Sequence, residues 1–358
     1  MGKDINVFVV DDSAIVRTTI KALLESENDI NILGTASDPI IAQEKFKRNG
    51  KPDVIILDIE MPRMDGLTFL KKIMAEDPIP VIICSSVAQE GSSNAIEALF
   101  LGAVEVIAKP DVGVKGFLEE SRAWLIHAIH AAFKTKPVLK SRPILQHNKK
   151  TNNTKLDTDV ILKLKNKQPK NNTHSIIAIG ASTGGVQTLE KILSSIPEKA
   201  PPILITQHMP PGFTKSLAYR LDKMSALSIK EAVDGDKLLH GRALIAPGDK
   251  HMILKRSGNS YIVEIKDGPR VSRHKPSVDV LFRSCANEAG ANAIGFILTG
   301  MGDDGAKGLK EMRDCGARTY SQNENSCIVY GMPKIAMEIG ASMDALSINQ
   351  IVDIIKKG

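Results

Sequence analysis

The sequence has few cysteines and no long apolar run. Its four cysteines, Cys84, Cys285, Cys315 and Cys327, are scattered and form no C-x-x-C pair, which argues against a disulfide framework. No apolar stretch approaches the length of a membrane span, and the N-terminus lacks the apolar region of a signal peptide. We therefore expect a reduced protein of the cytoplasm.

Motifs for two common ligand classes are also missing. The glycine-rich stretch Ile176–Gly185, read as IIAIGASTGG, has neither the G-x-G-x-x-G spacing of dinucleotide sites nor the lysine of a P-loop. No helix-turn-helix pattern with a basic face is found in the C-terminal half, so a DNA-binding regulator is disfavoured. Nothing in the sequence demands a nucleotide, and no nucleic-acid partner is expected.

Basic charge is concentrated in one segment of the chain. The 358 residues carry a formal net charge of +6. Residues 134–170 contain eleven Lys or Arg against only Asp157 and Asp159, so this segment carries +9 and the rest of the chain −3. Its content of Asn, Thr, Pro and Gln is typical of a solvated tether. We therefore predict a flexible basic linker over residues 135–173, between two globular domains.

The predicted N-terminal domain, residues 1–134, alternates short apolar runs with amphipathic helical patterns such as Ala14–Leu24, Leu67–Met74 and Phe117–Ala132. This alternation is typical of an α/β fold in which a parallel sheet is flanked by helices on both faces. Five strands are predicted, at Asn6–Val10, Ile30–Leu33, Val54–Leu57, Val81–Cys84 and Val104–Ala108.

Polar residues follow four of these strands, at the ends that a parallel sheet brings to one edge. Asp11 and Asp12 follow the first strand, Asp58 the third, Ser85 the fourth and Lys109 the fifth. Three carboxylates in one crevice repel one another unless a cation shares them, and hard oxygen ligands suit Mg²⁺. Each acid taken alone also fits a turn residue or a helix cap. The complete set predicts a carboxylate that accepts a phosphoryl group.

The segments VVDDS, ILDIEMPRMDG, ICSS and AKP make this part of the chain closely similar to the response-regulator receiver family. The resemblance implies a flavodoxin-like fold and a phosphorylation site at Asp58, with a chemotaxis histidine kinase as the phosphodonor. It further implies that Ser85 and Lys109 contact the phosphoryl group.

A magnesium ion is the cofactor that the receiver resemblance implies. Its site would be formed by Asp11, Asp12, Asp58 and the backbone of Glu60. In many receivers an aromatic residue three positions before the lysine turns inward on activation, and here Val106 stands at that position. We therefore expect the signal to leave through the surface of the last helices of this domain.

Three strand candidates of the C-terminal domain, residues 174–358, end in residues with catalytic potential. Ser182 follows the first, His208 the second, and the pair Asp303 and Asp304 lies beyond the third. A serine hydroxyl needs a base to remove its proton, and that base needs an acid to orient it. Periodicity does not separate the two aspartates. The three strands are Ile176–Ala181, Ile203–Gln207 and Ala293–Thr299.

Each of these residues also has a purely structural interpretation. A glycine-rich turn that carries Ser182 can simply cap a helix, a lone histidine after a strand is usually structural, and aspartate in a glycine-rich loop is usually a turn residue. His240, His251 and His274 are weaker candidates. Further elements are predicted as strands at Arg242–Ala246, His251–Lys255 and Tyr261–Lys266, a hairpin turn at Ser257–Ser260, and helices at Ser277–Ala289 and Ser347–Lys357.

The segments GASTGG, ITQHMPPGFT, IAPGDKHM, HKPSVDVLF, ILTGMGDDG and YGMP resemble the catalytic domain of the chemotaxis-receptor methylesterase family, which is doubly wound. The resemblance implies Ser182 as nucleophile, His208 as general base and Asp304, rather than Asp303, as the orienting acid. It also implies an oxyanion hole formed by backbone N–H groups near Thr183 and Met301. No cofactor is expected for the hydrolytic reaction.

These resemblances together imply a phosphorylation-activated hydrolase. It would cleave glutamyl methyl esters on chemotaxis receptors and deamidate selected receptor glutamines through an acyl-enzyme. The expected protein is a monomer that meets the membrane only through its receptor substrates. A phosphorylation-regulated binding module without catalysis is the alternative interpretation.

Overall fold

A computed structural model of the chain describes residues 4–86, 89–109, 115–135, 155–165 and 175–357. The chain divides into two compact units, Met1–Pro143 and Ile144–Gly358. Among the helices described, none combines the length and the apolar character needed to cross a bilayer.

The first unit is a five-stranded parallel sheet in the order β2-β1-β3-β4-β5, with a helix after each strand. This strand order is that of the flavodoxin-like fold, as expected. The elements are β1 (Ile5–Val10), α1 (Ala14–Leu24), β2 (Ile30–Ala36), α2 (Pro39–Asn49), β3 (Val54–Leu57), α3 (Gly66–Glu76), β4 (Val81–Ser85), α4 (Gln89–Phe100), β5 (Glu105–Ala108) and α5 (Lys115–Thr135).

The core of the first unit explains why its strands read as continuous apolar runs. Helices cover both faces of the sheet, so every residue of β3 and β4 is buried. On one face, Phe8 packs edge-to-face against Phe46 of α2, with ring centroids 4.8 Å apart. The acidic residues of the candidate site lie just beyond the carboxyl ends of these strands.

The second unit contains a seven-stranded parallel sheet in the order β14-β13-β12-β6-β7-β9-β8 and a separate antiparallel hairpin of β10 and β11. The elements are β6 (Ile176–Ala181), α6 (Gly185–Leu193), β7 (Ile203–Gln207), α7 (Phe213–Met224), β8 (Ser228–Glu231), β9 (Arg242–Ile245), β10 (His251–Ser257), β11 (Ser260–Lys266), α8 (Val278–Glu288), β12 (Ala293–Ile297), α9 (Ala306–Asp314), β13 (Arg318–Gln322), α10 (Met332–Glu338), β14 (Asp344–Leu346) and α11 (Ile348–Lys357).

The strand order of the second unit reverses next to β6. On one side of β6 lie β7, β9 and β8, and on the other side lie β12, β13 and β14, which come later in the chain. Such a reversal opens a crevice at the carboxyl ends of the adjacent strands. The carboxyl ends of β12, β6 and β7 lie at this switch point, and we call the region above them the cleft. The expected doubly wound architecture is confirmed.

Strands β8, β13 and β14 of this sheet were not predicted from the sequence, and one predicted strand is shorter than expected. The predicted strand Ala293–Thr299 ends at Ile297. Strand β13 carries no apolar run, because its buried residues include Thr319 and Gln322. Thr319 Oγ1 donates to a backbone carbonyl at 2.7 Å, and the Gln322 side chain donates to Ser326 O at 2.7 Å. A strand whose buried side chains are polar and hydrogen-bonded is not predicted by a hydrophobicity pattern.

Residues 155–165 lie within the segment that was predicted to be a flexible linker, residues 135–173. In the structure they belong to the second unit and pack against the rest of it, with Ile161 buried. The reason is charge pairing and apolar contact: Asp159 pairs with the buried Arg283, and Ile161 joins a small apolar cluster. We call these eleven residues the docked segment. The remaining linker residues lie outside the described part of the chain.

Close packing of α8 on β6 should make Gly180 sensitive to any side chain. A Cβ at this position would lie 2.1 Å from Cγ1 of Val278, so Gly180→Ala forces the helix or the valine to move. We expect the variant to lower the free energy of unfolding of the second unit by about 1–3 kcal/mol, as overpacked cores do. Urea unfolding followed by circular dichroism measures this.

The double variant Gly180→Ala/Val278→Ala is the matched test of that cause. Trimming the valine removes the clash, so the double variant should be more stable than Gly180→Ala alone. Simple additivity of the two losses would contradict the packing explanation.

Candidate functional site

Two of the three predicted catalytic residues are joined directly in the cleft of the second unit. His208 Nε2 lies 2.7 Å from Asp304 Oδ2, and both side chains are buried. His208 follows β7 and Asp304 follows β12, so the two residues come from strands on either side of β6. A carboxylate only accepts hydrogen bonds, so His208 Nε2 carries the proton and Nδ1 is left with a free electron pair.

The N-terminus of α8 holds the carboxylate of Asp304. Val278 N donates to Oδ2 at 2.8 Å, Asp279 N donates to Oδ1 at 3.1 Å, and Ser277 Oγ donates to Oδ1 at 2.8 Å. Asp304 thus acts as the cap of a helix distant in sequence, where the helix dipole favours negative charge. Burial alone would raise the pKa of Asp304, but the hydrogen bond from His208 and the charge and amide donors around it hold the pKa below its usual range.

Ser182 lies beside His208 because of the register between β6 and β7. Ala181 pairs with Gln207, so the next residue of each strand emerges at the same level. The side-chain amide of Gln207 donates to the carbonyls of both Ser182 and His208, at 3.0 and 3.1 Å, and ties the two turns together. Ser182 is 4% exposed, and His208 Nδ1 is buried without a hydrogen-bond partner.

The two predicted oxyanion residues flank Ser182. Thr183 is buried at the start of the turn into α6, and its carbonyl accepts from Thr299 Oγ1 at 3.0 Å. Met301 follows Gly300, which approaches so closely that a Cβ on it would lie 2.6 Å from Ser182 Cβ. Both backbones therefore border the serine.

His274, a weaker candidate from the sequence, lies directly on the proposed base. Its ring stacks on that of His208 with centroids 3.7 Å apart and an angle of 3° between planes. Its Nδ1 lies 2.8 Å from Ser272 O, a pure acceptor, and 3.9 Å from Asp304 Oδ2. The motif HKPSVDVLF, which contains His274 and Ser277, was the sequence signal for this region, but it did not reveal the stacking.

Two further buried residues support Ser277 and α8. His251 Nε2 donates to Pro269 O at 3.0 Å, and its Nδ1 accepts from Ser277 N at 3.3 Å. Burial lowers the pKa of His251, which keeps the ring neutral and able to accept. Asp279 accepts from Gly308 N at 2.8 Å, and burial beside Asp304 raises the pKa of Asp279. These side chains maintain the cap on Asp304 and lie behind it.

The alternatives Asp303 and His240 lie away from this centre. Asp303 is half exposed and its carboxylate pairs with Lys155 at 2.5 Å. His240 precedes β9, so it lies at the opposite edge of the sheet from the cleft.

The first unit gathers its acidic residues at one edge of its sheet, as the sequence predicts. Lys109 Nζ lies 2.7 Å from Asp58 Oδ2 and 3.3 Å from Asp11 Oδ2, and both carboxylates are buried. Asp12 is exposed, and ligand oxygens of the three acids lie within 4.8 Å of one another. Ser85 is buried nearby, with its carbonyl accepting from Lys109 N at 2.9 Å.

Incomplete charge compensation distinguishes this site. Burial raises the pKa of Asp58 to about 6 and also raises that of Asp11, although Lys109 opposes the rise in both. Asp58 Oδ1 accepts from Ile59 N at 2.8 Å and, weakly, from Glu60 N at 3.4 Å. One lysine for three carboxylates leaves excess negative charge among oxygen ligands, and this donor set fits a hard divalent cation.

Comparison with known families separates the chain into the same two parts. The model of the family described as CheB methylesterase matches residues 177–355, and that described as response regulator receiver domain matches residues 7–113.

Individual relatives match along nearly the whole chain. A protein of Geobacter metallireducens named protein-glutamate methylesterase/protein-glutamine glutaminase 3 is 52% identical over 350 residues, covering 98% of this chain and 97% of its own. One from Chromobacterium violaceum with the same name and the number 2 is 52% identical, covering 97% of this chain and 98% of its own. The crystal structure of the Thermotoga maritima CheB methylesterase catalytic domain matches with a TM-score of 0.51 at 37% identity, covering 52% of this chain and 98% of that chain.

The raised pKa of Asp58 predicts that this residue destabilises the first unit as pH rises. Because the folded form binds the proton more tightly than the unfolded chain, the stabilising contribution is complete below about pH 4 and is lost as pH rises through about 6. Because Asn does not ionise, we expect Asp58→Asn to abolish this fall in the free energy of unfolding with pH. At pH 7 the variant should be more stable than the unmodified chain by up to about 3 kcal/mol. Trp124, the single tryptophan, reports urea unfolding of this unit.

The exposed Asp12 offers the control for this measurement. Asp12→Asn should leave most of the pH dependence between pH 4 and 7 in place, since its carboxylate is solvated. A pH dependence that is the same in Asp58→Asn and in the unmodified chain would contradict the assignment.

Proposed function

Because this chain belongs to the CheB methylesterase family, we propose that Ser182, His208 and Asp304 form the catalytic triad of a protein-glutamate methylesterase and protein-glutamine glutaminase. The family and the activity follow from the match over residues 177–355 and from relatives of the same length. The observation that carries the residue assignment is the buried 2.7 Å hydrogen bond between His208 Nε2 and Asp304 Oδ2, next to a serine.

The first half of the reaction forms an acyl-enzyme. Ser182 Oγ attacks the side-chain carbonyl of a glutamyl methyl ester while His208 Nδ1, the nitrogen without a partner, takes the hydroxyl proton. The imidazolium keeps its Nε2–H on Asp304. When the tetrahedral intermediate collapses, the C–O bond to the methoxy group breaks and His208 returns the proton, so methanol leaves and a glutamyl–Ser182 ester remains.

The second half releases the glutamate. Water attacks the ester as His208 Nδ1 takes one of its protons, and the proton passes to Ser182 Oγ as the bond to the glutamyl carbon breaks. A glutamine side chain follows the same course, with ammonia as the leaving group. Both substrates are acyl derivatives of the same side chain, so one site serves both reactions.

The environment of Asp304 fits its proposed role of orienting and stabilising. His208, followed by the charge of His274 and the Val278 amide, keeps the pKa of Asp304 low, so the aspartate stays ionised while the histidine becomes charged. The negative charge of the tetrahedral intermediate would be received by the N–H groups of Thr183 and Met301, which border Ser182.

In the first unit, Asp58 is the proposed phosphorylation site, with a histidine kinase as donor. Lys109, already 2.7 Å from Asp58, and Ser85 would contact the added phosphoryl group. Asp11, Asp12 and Asp58, with the backbone of Glu60, would hold Mg²⁺, which neutralises charge during phosphoryl transfer.

Phosphorylation of this receiver activates the hydrolase. The proposed substrates are the methylated glutamates and the glutamines of chemotaxis receptors, and the proposed site of action is the cytoplasmic face of the receptor. The buried His208–Asp304 pair and the strand register that brings Ser182 to the same level as His208 favour hydrolysis over a binding module without catalysis.

The triad assignment predicts a sharp difference between adjacent aspartates. Asp304→Asn should lower kcat by about 10⁴-fold, since the amide cannot hold the histidine in the required tautomer. Asp303→Asn, at an exposed ion pair, should stay within a few-fold of the unmodified chain. Methanol release from methylated receptor measures both, and equal activity of the two variants would contradict the assignment.

The nucleophile is tested separately from the acid. Ser182→Ala should abolish methanol release at an unchanged melting temperature, and an active-site serine probe should label the unmodified chain at the peptide that contains Ser182. Normal turnover by Ser182→Ala would overturn the proposed mechanism.

Phosphorylation is tested at the first unit. Incubation with Mg²⁺ and acetyl phosphate should add one phosphoryl group and raise the rate of methanol release, and Asp58→Asn should show neither effect. Asp77→Asn, an exposed acid that pairs with Lys51, is the matched control and should behave as the unmodified chain. Rate stimulation that persists in Asp58→Asn would exclude this site.

A further inference from the structure

The docked segment, residues 155–165, is fastened to α8 and its surroundings at several points. Arg283 of α8 is 5% exposed and pairs with Asp159 and with Glu311, the latter at 2.8 Å, and its Nη1 donates to Leu162 O at 3.1 Å. At the end of the segment, Lys165 N donates to Asn287 Oδ1 at 2.8 Å. Because the buried Arg283 forms ion pairs with Asp159 of the segment and with Glu311 of α9, it links the docked segment to α8 and α9.

The docked segment also contacts one loop of the catalytic cleft. Ile161 packs with Val271 in a small apolar cluster, and Leu156 O accepts from Ser272 N at 3.1 Å. Lys266 Nζ donates to Ile161 O at 3.0 Å. The contacts of Ile161 with Val271 and of Leu156 with Ser272 converge on the turn Val271–His274, which we call the histidine turn.

The histidine turn has a conformation that its residues do not favour. Val271 and His274 pair through two backbone hydrogen bonds of 3.0 and 2.8 Å, and the two central residues, Ser272 and Arg273, have φ values of +49° and +73°. Turns of this kind normally use Asn and Gly at these positions. Residues held in such conformations persist only where their surroundings fix them, and they cluster at functional sites.

The histidine turn also fixes the orientation of the His274 ring. Its Nδ1 donates to Ser272 O at 2.8 Å, and Ser272 Oγ donates to Asp279 Oδ2 at 2.8 Å. The ring held in this way lies flat on His208, with 3.7 Å between centroids. A continuous series of contacts therefore runs from the linker region of the chain to the face of the proposed base.

We propose that the docked segment is a positioning element for His208: it holds the histidine turn in its strained conformation and so keeps His274 stacked on the base. This inference rests on the proposed role of His208 in catalysis. It assigns to part of the basic linker a function beyond tethering, because releasing the segment would let the turn relax and the stack separate. Small misplacements of a catalytic group carry large rate penalties.

Ile161→Ala is the direct test, since it removes the apolar anchor against Val271. We expect kcat for methanol release to fall by about ten-fold to a hundred-fold while KM changes by less than about two-fold. In the full chain labelled with ¹³C-histidine, the Hε1 resonance of His208 should lose the ring-current shift caused by His274. Val160→Ala, at an exposed neighbour in the same segment, is the matched control and should change neither readout.

A second variant covers the case in which Ile161→Ala does not fold. Asp157→Asn/Asp159→Asn removes the exposed acids that pair with Arg283 and leaves the apolar anchor in place. It should shift the His208 resonance in the same direction and lower kcat, whereas Ile161→Val should restore both readouts.

An unchanged His208 resonance in the folded variants of this set would overturn the positioning role, whatever the rate. The resonance does not depend on turnover, so this failure is distinct from failure of the proposed function, which would appear as turnover by Ser182→Ala. A rate loss that follows only the fraction unfolded would also overturn the proposal.

Discussion

The constraint on which the second unit depends is the burial of the Asp304 carboxylate. A buried anion is tolerable only if hydrogen-bond donors surround it. The chain supplies them by aiming the N-terminus of α8 at the end of β12, where two amides and the Ser277 hydroxyl meet the carboxylate. His208 completes the set at 2.7 Å. The position of α8, the tautomer of the histidine and the direction of the cleft all follow from satisfying this one charge.

That arrangement explains the glycines of two motifs. For α8 to reach Asp304, Val278 must lie against β6 and against the loop after β12. A Cβ at Gly180 or at Gly305 would lie 2.1 or 2.4 Å from Val278 Cγ1, and Gly305 also has a φ of +90°. The motifs GASTGG and GMGDDG therefore need glycine for the approach of a helix as much as for the conformation of their turns.

The sequence predicted most of the architecture because parallel strands bring their carboxyl ends to one edge. Apolar runs located β6, β7 and β12, and the polar residues after them were Ser182, His208 and Asp304. What periodicity could not provide were contacts between distant segments. The stacking of His274 depends on a turn with positive φ at Ser272 and Arg273, which local preferences argue against. Strand β13 is buried although its residues are polar, so hydrophobicity does not locate it. The sequence of the docked segment is typical of a solvated linker, because Arg283, the partner of its Asp159, lies far away in the sequence on α8.

Both units place a buried aspartate beyond the end of a parallel strand, but the pKa of this aspartate is lowered in one unit and raised in the other. Asp304 and Asp58 both lie buried beyond the end of a parallel strand. The hydrogen bond from His208, the histidine charges and the Val278 amide hold the pKa of Asp304 below its usual range, which suits its proposed role of keeping His208 oriented. Asp58 has one lysine and a second buried acid beside it, so burial raises its pKa to about 6. A carboxylate left short of compensation gains most from a cation or from a covalent group that brings new contacts, and it is therefore suited to change its state.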